Sequence, residues 1–228
     1  MLTLAIDTST NTLSIALVRD DEVLASIDEQ TKNNQSEILM SRIETMINDC
    51  GLKPADLEKI VVAIGPGSYT GIRVGVAAAK SLAYALDIPI VGISSLEVMA
   101  MAAVSSDVRF RIPMIDARRK TVFAGVYGAD GTNIISDGHD HIEQLIEALI
   151  PTLVEGDTIS FIGDGAAVHK EILLEKWPEA GVITETHFKR CKGVVLAELS
   201  RKRSPIKDIH RVIPNYLRKT EAEMNAGV

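Results

Sequence analysis

The spacing of apolar and polar positions changes several times along the chain, and each change marks an element. Leu2–Asp7, Thr12–Val18 and Glu22–Asp28 are β-rich runs. The polar trio Arg19-Asp20-Asp21 separates the second from the third, so three strands are predicted. From Ser36 the period becomes helical. Ile38, Leu39, Ile43, Met46 and Ile47 recur on one stripe until Gly51 stops the run. Ile60–Ile64 then reads as a short buried strand, Gly71–Leu86 as a helix, Pro89–Ile93 as a strand and Leu96–Val104 as a helix.

The second half repeats this plan. Strands are predicted at Arg111–Asp116, Thr121–Tyr127 and Thr132–Ser136, with Ala129-Asp130-Gly131 as a turn. A helix at Ile142–Ile150, a strand at Thr158–Ile162, a helix at Ala166–Lys176, a strand at Val182–Thr184 and a helix at Val194–Lys202 follow. Ala5-Ile6-Asp7 matches Met114-Ile115-Asp116, and Ile64-Gly65-Pro66-Gly67 matches Ile162-Gly163-Asp164-Gly165. The doubled βββαβα order predicts an α/β protein of two similar lobes, residues 1–106 and 107–212. The segment 213–228 lies beyond the second plan and is free to pack back on the first lobe.

Composition narrows the class. The 228 residues are 46% hydrophobic, ample for a buried core. Asp7 comes too early for a signal peptide, and no apolar run approaches the roughly 20 residues of a membrane helix. Two cysteines, Cys50 and Cys191, in unrelated contexts suit a reducing compartment. A soluble cytoplasmic protein without membrane association is expected. The formal charge of −7 argues against tight nucleic-acid binding by the chain alone. Basic residues gather only late, at Lys189-Arg190, Lys192, Arg201-Lys202-Arg203, Lys207 and Arg211, a pattern that also suits a solvated helix face.

The richest stretch for chemistry is Gly65-Pro66-Gly67-Ser68-Tyr69-Thr70-Gly71-Ile72-Arg73-Val74-Gly75, joining a strand to a helix. Backbone N–H groups and the helix dipole favour an anion there, and glycines allow close approach. It is neither a Walker loop, since Gly71-Ile72-Arg73 replaces Gly-Lys-Ser/Thr, nor a dinucleotide fingerprint, since Thr70 stands at the third glycine. A tight turn without ligand accounts for it equally well.

Residues 65–83, with Ala5-Ile6-Asp7-Thr8-Ser9, Met114–Arg119, Phe161–Ala166 and Pro214–Arg218, closely resemble the signature of the bacterial TsaB family, also called YeaZ. The resemblance covers nearly the whole chain. It departs from the family at Gln35-Ser36-Glu37, where a histidine is usual near the start of the first long helix. It implies the fold shared by actin, hexokinase and Hsp70, with two ribonuclease-H-like lobes. It also implies a role beside TsaD, the subunit that transfers threonylcarbamoyl to adenosine 37 of tRNAs decoding ANN codons, with the ATPase TsaE as a further partner.

Enzymes of that fold hold Mg-ATP with three glycine-bearing turns. Here the first reads Asp7-Thr8-Ser9-Thr10 and the second Asp116-Ala117-Arg118, each with a side chain at the glycine position; in the third, Gly163-Asp164-Gly165, Asp164 interrupts the pair. The resemblance therefore implies a vestigial nucleotide cleft built from Asp7, Ser9, Gly65, Gly67, Ser68, Thr70, Asp116, Arg118, Gly163, Asp164 and Gly165. Asp7 and Asp116 stand where Mg²⁺-associated carboxylates would be, although aspartates after strands also cap hairpins. No cofactor is expected in the isolated chain, with ATP or ADP bound only in a complex. No metal site is expected either, because Ser95 and Met99 fill the positions of the paired metal histidines of TsaD. His139, His141, His169, His187 and His210 do not replace them.

The expected reading is a non-catalytic subunit that pairs with TsaD, recruits TsaE and reaches tRNA only through the complex; for the chain alone, homodimer and monomer both stay open. Ile38, Leu39, Arg42 and Ile43 on the first long helix, with Arg73, Val76, Ala77 and Lys80 on the Ala-rich helix, are the expected partner face. Ordinary lobe core explains the same apolar residues. The alternatives are a small-molecule kinase of this fold, against which the altered turns speak, and a metallopeptidase, for which no His-Glu-x-x-His occurs.

Overall fold

A computed structural model describes residues 1–31, 34–103, 108–154, 156–184, 187–206 and 208–218. Val104, the 106/107 boundary, Lys207 and the stretch after 218 lie outside the described residues.

The chain forms two five-stranded mixed sheets of the same plan. The first contains β1 (Leu2–Asp7), β2 (Thr12–Arg19), β3 (Glu22–Gln30), β4 (Lys59–Ala63) and β5 (Ile90–Ile93), ordered β3-β2-β1-β4-β5. The second contains β6 (Phe110–Asp116), β7 (Thr121–Gly128), β8 (Asn133–His141), β9 (Ile159–Ile162) and β10 (Gly181–Ile183), ordered β10-β9-β6-β7-β8. In each, three antiparallel strands meet two parallel ones. Asp7 pairs with Ser14 and Ile6 with Val62 in the first, and Asp116 pairs with Val122 in the second. Seven helices are described: α1 (Gln35–Asp49), α2 (Tyr69–Leu86), α3 (Ser95–Ala103), α4 (Ile142–Leu149), α5 (Asp164–Val168), α6 (Lys170–Lys176) and α7 (Lys192–Leu199). None is long and apolar enough to cross a membrane, among the described residues.

β1 is buried along its whole length, which is why it reads as a continuous apolar run rather than an alternation. Leu2, Leu4 and Ile6 with Leu13, Ile15 and Leu17 meet α1 and α2 through Leu39, Ile43, Ile72, Val76 and Ala79. Ala5, Ala16 and Val18 meet Val98 and Ala102 of α3 and Val195, Leu196 and Ala197 of α7 on the opposite face. Ser68 caps α2, its hydroxyl accepting the Gly71 N–H at 3.2 Å, and Asp87 closes it in the left-handed region (φ 52°).

α3 is apolar apart from Ser95 and Glu97 because it is covered on two sides. Val98 and Ala102 face the first sheet, while Leu96, Met99, Ala100 and Ala103 pack on Ile115, Tyr127 and Ile162 of the second. α7 departs from the sequence reading. It follows the second plan in the chain, within 107–212, yet packs on β1 and β2 of the first sheet. Gly193 permits this, since a Cβ there would stand 2.8 Å from the Ile15 carbonyl carbon. Several bounds also differ, and three of the differences have a local cause. The run 166–176 is two short helices meeting at His169, whose φ of −104° breaks the geometry. β8 continues to His141 through polar Asp137–Asp140, because pairing with β7 holds it where alternation fails. The last predicted helix starts at Lys192 and ends in a 3₁₀ turn, Ser200–Lys202.

Candidate functional site: a filled hairpin and a cleft between the lobes

Asp7 ends β1 and Lys192 begins α7, and neither has appreciable exposure. Asp7 Oδ1 accepts the Ser9 N–H at 2.8 Å and the Ser9 hydroxyl at 2.6 Å. The Lys192 ammonium stands 3.4 Å from Oδ2 and donates to Thr10 Oγ1 at 2.8 Å. A positive charge thus already faces the carboxylate inside the hairpin, where the resemblance would place a metal-associated group. Burial of an ion pair is costly unless further hydrogen bonds support it, as Ser9 and Thr10 do here.

The glycine-rich loop lies directly against this hairpin. A Cβ at Gly67 would come within 2.2 Å of Ser9 O, at Gly71 within 2.1 Å of Thr8 O, and at Gly75 within 2.3 Å of Thr8 Oγ1. Ser68 N–H donates to Ser9 O at 2.7 Å, and Thr8 Oγ1 donates to the Gly71 carbonyl at 2.7 Å. These glycines admit the hairpin, and the Ser68 and Gly71 N–H groups are engaged by protein oxygens rather than aimed at an open cradle. Gly65 (φ 103°) passes beneath Ile72 and the Asn215 carbonyl. Thr70 and Ser68 are exposed and, with Thr10, Asn11 and Gln35, border a recess of about 200 Å³.

In the second lobe, Asp164 Oδ1 accepts the Asp116 N–H at 3.0 Å. Asp116 Oδ1 accepts the Arg118 N–H at 3.0 Å, and its Oδ2 lies 3.3 Å from Arg118 Nη1. Gly163 (φ 105°) and Gly165 seat the turn on β6, with added Cβ atoms 2.4 and 3.0 Å from the Met114 carbonyl oxygen. Ser95 and Met99 are packing residues. Ser95 exchanges hydrogen bonds with Gly65, N–H to O at 3.0 Å and Oγ from N–H at 3.1 Å, while Met99 Cε lies under Gly163. Among the described residues no group of three His, Cys, Asp or Glu side chains is placed to hold a metal ion.

Gly67, Asp116 and Arg118 reach the cleft between the lobes; Asp7 and Ser9 are sealed behind the loop. The cleft is a cavity of about 380 Å³. Pro66, Tyr69 and Ile72 line it from the first lobe, Ala117 and Phe123 from the second, and Asn215, Tyr216, Leu217 and Arg218 along its edge. The C-terminal segment spans it. Asn215 N–H donates to Ile64 O at 2.7 Å, Arg73 Nε donates to the Tyr216 hydroxyl at 2.8 Å, and Arg218 Nη1 donates to Ala117 O at 3.1 Å. A second tie crosses the lobes deeper in: Ser94 and Tyr127 both donate to the Asp137 carboxylate, whose pKa burial pushes up. Desolvation holds the His139 and His169 pKa values below the ordinary range, with the Arg218 charge adding to the effect at His139.

The expected partner face divides by burial. Leu39, Ile43 and Val76 point into the first lobe's core and are not surface residues. Ile38 is half-buried, and Lys80 is half-buried with Nζ donating to Val212 O at 3.1 Å. Arg42, paired with Glu29 at 2.8 Å, together with Arg73 and Ala77, stays exposed, joined by Met40 and Tyr84. Sequence reasoning missed Lys192, Tyr69, Phe123, Tyr216 and Arg218 as site residues; only the Pro214–Arg218 match to the family signature pointed toward the last two.

A family model described as TsaD: tRNA N6-adenosine threonylcarbamoyltransferase matches residues 22–226. The tRNA threonylcarbamoyladenosine biosynthesis protein TsaB of Bacillus subtilis (strain 168) is 39% identical over 98% of this chain and 96% of its own. A Pseudomonas aeruginosa protein with similarity to peptidase YeaZ superposes with a TM-score of 0.80 at 22% identity, covering 95% of this chain and 99% of that one. The activator of 2-hydroxyisocaproyl-CoA dehydratase from Clostridium difficile superposes with a TM-score of 0.50 at 11% identity over 90% and 99%. The fold is thus the two-lobed α/β fold of these two solved structures, and the chain belongs to the TsaB (YeaZ) family of tRNA threonylcarbamoyladenosine biosynthesis proteins.

Proposed function

We propose that this chain is a non-catalytic docking subunit of the machinery that installs threonylcarbamoyl on adenosine 37 of tRNA. It pairs with TsaD through the exposed faces of α1 and α2, supports recruitment of TsaE, and meets tRNA only within the complex. The observation that carries this reading is the Lys192 ammonium against Asp7. With that carboxylate neutralised internally and the glycine loop closed on the hairpin, the residues that would handle Mg-ATP are occupied by the protein itself. Arg42, Ala77 and Tyr84 keep their exposed positions for a partner, and any ATP or ADP belongs to a site completed by that partner.

The test measures threonylcarbamoyladenosine in tRNA from cells in which this chain is the only source of the function, together with capture of the cognate TsaD by the purified protein. Capture of TsaD, full modification and no steady ATP turnover by the free chain are expected. Turnover on the order of 1 s⁻¹, abolished by Asp7→Ala, would make the chain an enzyme and end this reading.

A further inference from the structure

Within an acidic chain, the mouth of the inter-lobe cleft is cationic, and its walls are aromatic. Among the described residues that line it, Arg118 and Arg218 are cationic and Asp116 is anionic, with Asp164 held against the Asp116 backbone and Arg73 donating to Tyr216. Arg118 has 86% side-chain exposure and its ion-pair partner Asp116 is 3.3 Å away; Arg218 donates from Nη1 to Ala117 O. Each guanidinium has further donors in a planar fork suited to an oxyanion. The backbone adds a second observation. Arg118, Arg119 and Lys120 all occupy the left-handed region, with φ of 69°, 51° and 61°. A tight hairpin turn accounts for two such residues and normally fills them with Asn or Gly. Three consecutive long cations there are unfavourable for L residues, and unusual backbone of this kind concentrates at ligand sites. Thr121 fixes the turn by donating its N–H and hydroxyl to Arg118 O, at 2.9 and 2.8 Å.

The apolar part of the cleft is built from rings on both sides. Tyr69 and Tyr216 stand 5.3 Å apart on one, and Phe123 lies on the other. A volume of about 380 Å³ falls at the small end of ligand pockets. We infer that this cleft binds a small ligand with a planar ring carrying an oxyanion, phosphate or carboxylate, the anion held by Arg118 and Arg218 and the ring lodged between Tyr69, Tyr216 and Phe123. The cleft meets α2 only at its first turns, through Tyr69, Ile72 and Arg73, away from Arg42, Ala77 and Tyr84, so the inference goes beyond the docking role and does not depend on it.

The experiment titrates the purified full chain with phenyl phosphate, benzoate, inorganic phosphate and benzyl alcohol, reading calorimetric heats and the resonances of Tyr69, Phe123 and Tyr216. A Kd on the order of 1 mM is expected for phenyl phosphate or benzoate, as suits ligands of this size. The tighter of the two identifies the oxyanion, and phosphate without a ring or a ring without a charge should bind at least about tenfold more weakly. Arg118→Met and Arg218→Met should each weaken binding about tenfold, whereas Arg109→Met, remote from the cleft, should not. Circular dichroism of each variant separates loss of binding from loss of fold, and the benzyl alcohol arm reads the ring pocket in the same proteins. Absence of saturable binding by both probes, equal binding of inorganic phosphate, or affinity indifferent to both arginines in folded protein would overturn the inference.

Discussion

The Lys192 ammonium stands 3.4 Å from Asp7 Oδ2, joining the first residue of α7 to the last of β1 with both side chains buried. The contact ties a helix that follows the second lobe's sheet to the hairpin that opens the first.

Removing one partner should therefore be much worse than removing both. Lys192→Met leaves a buried carboxylate without its cation and is expected to cost about 3–5 kcal/mol. Adding Asp7→Asn should recover much of that loss. Urea denaturation of the two single variants and the double variant measures the coupling. A strictly additive cycle would show that the pair contributes nothing specific.

Gly71→Ala should destabilise the first lobe at the upper end of the roughly 1–3 kcal/mol typical of overpacking. Its new Cβ would meet Thr8 O at 2.1 Å, a backbone atom with no flexible side chain to yield. Ala77→Ser, at an exposed position of the same helix, should leave the thermal midpoint within about 1 °C. Thermal unfolding of the two variants side by side checks the contrast.

Substitutions on α1 and α2 should separate folding from docking. Val76→Asp places a charge in the first lobe's core, where Val76 is 4% exposed, and should yield unfolded protein. Met40→Asp and Ala77→Asp alter exposed positions and should fold normally. If this face meets TsaD, each burial of an unpaired charge costs several kcal/mol, enough to weaken the complex more than about 100-fold. Circular dichroism and threonylcarbamoyladenosine content report the two effects independently. Folded variants with full modification would move the docking surface elsewhere.

Stability should decline on mild acidification through His139 and His169. Both have folded-state pKa values below the ordinary 6.5, chiefly from burial. Below about pH 6.5 the unfolded chain takes up protons that the fold resists, so their contribution is present above that value and lost as pH falls through the window beneath it. Asp137 works in the opposite sense. Its raised value favours the fold below the ordinary carboxylate range, and that contribution is lost as pH rises through the folded value. Urea midpoints at pH 7.5 and 5.5 should differ less in the His139→Gln/His169→Gln variant than in the parent protein.

Much of the architecture was legible because it is local. Leu4 and Ile6 beside Ile60 and Val62 read as buried strands, the stripe Leu39, Ile43, Met46 and Ile47 read as a helix face, and repetition of Ala5-Ile6-Asp7 as Met114-Ile115-Asp116 announced the second sheet. Apolar periodicity and turn residues act over a few neighbours, so one chain displays them directly. The sequence likewise marked the loop 65–75 as exceptional. The job of its glycines was decided only by tertiary structure, because Thr8 and Ser9, which press on Gly67, Gly71 and Gly75, are more than fifty positions away. The same holds for α7 crossing to the first sheet, for Lys192 finding Asp7, and for Tyr216 and Arg218 lining the cleft. Such choices depend on which distant surfaces fit and on which buried charges find partners, and no local pattern encodes either.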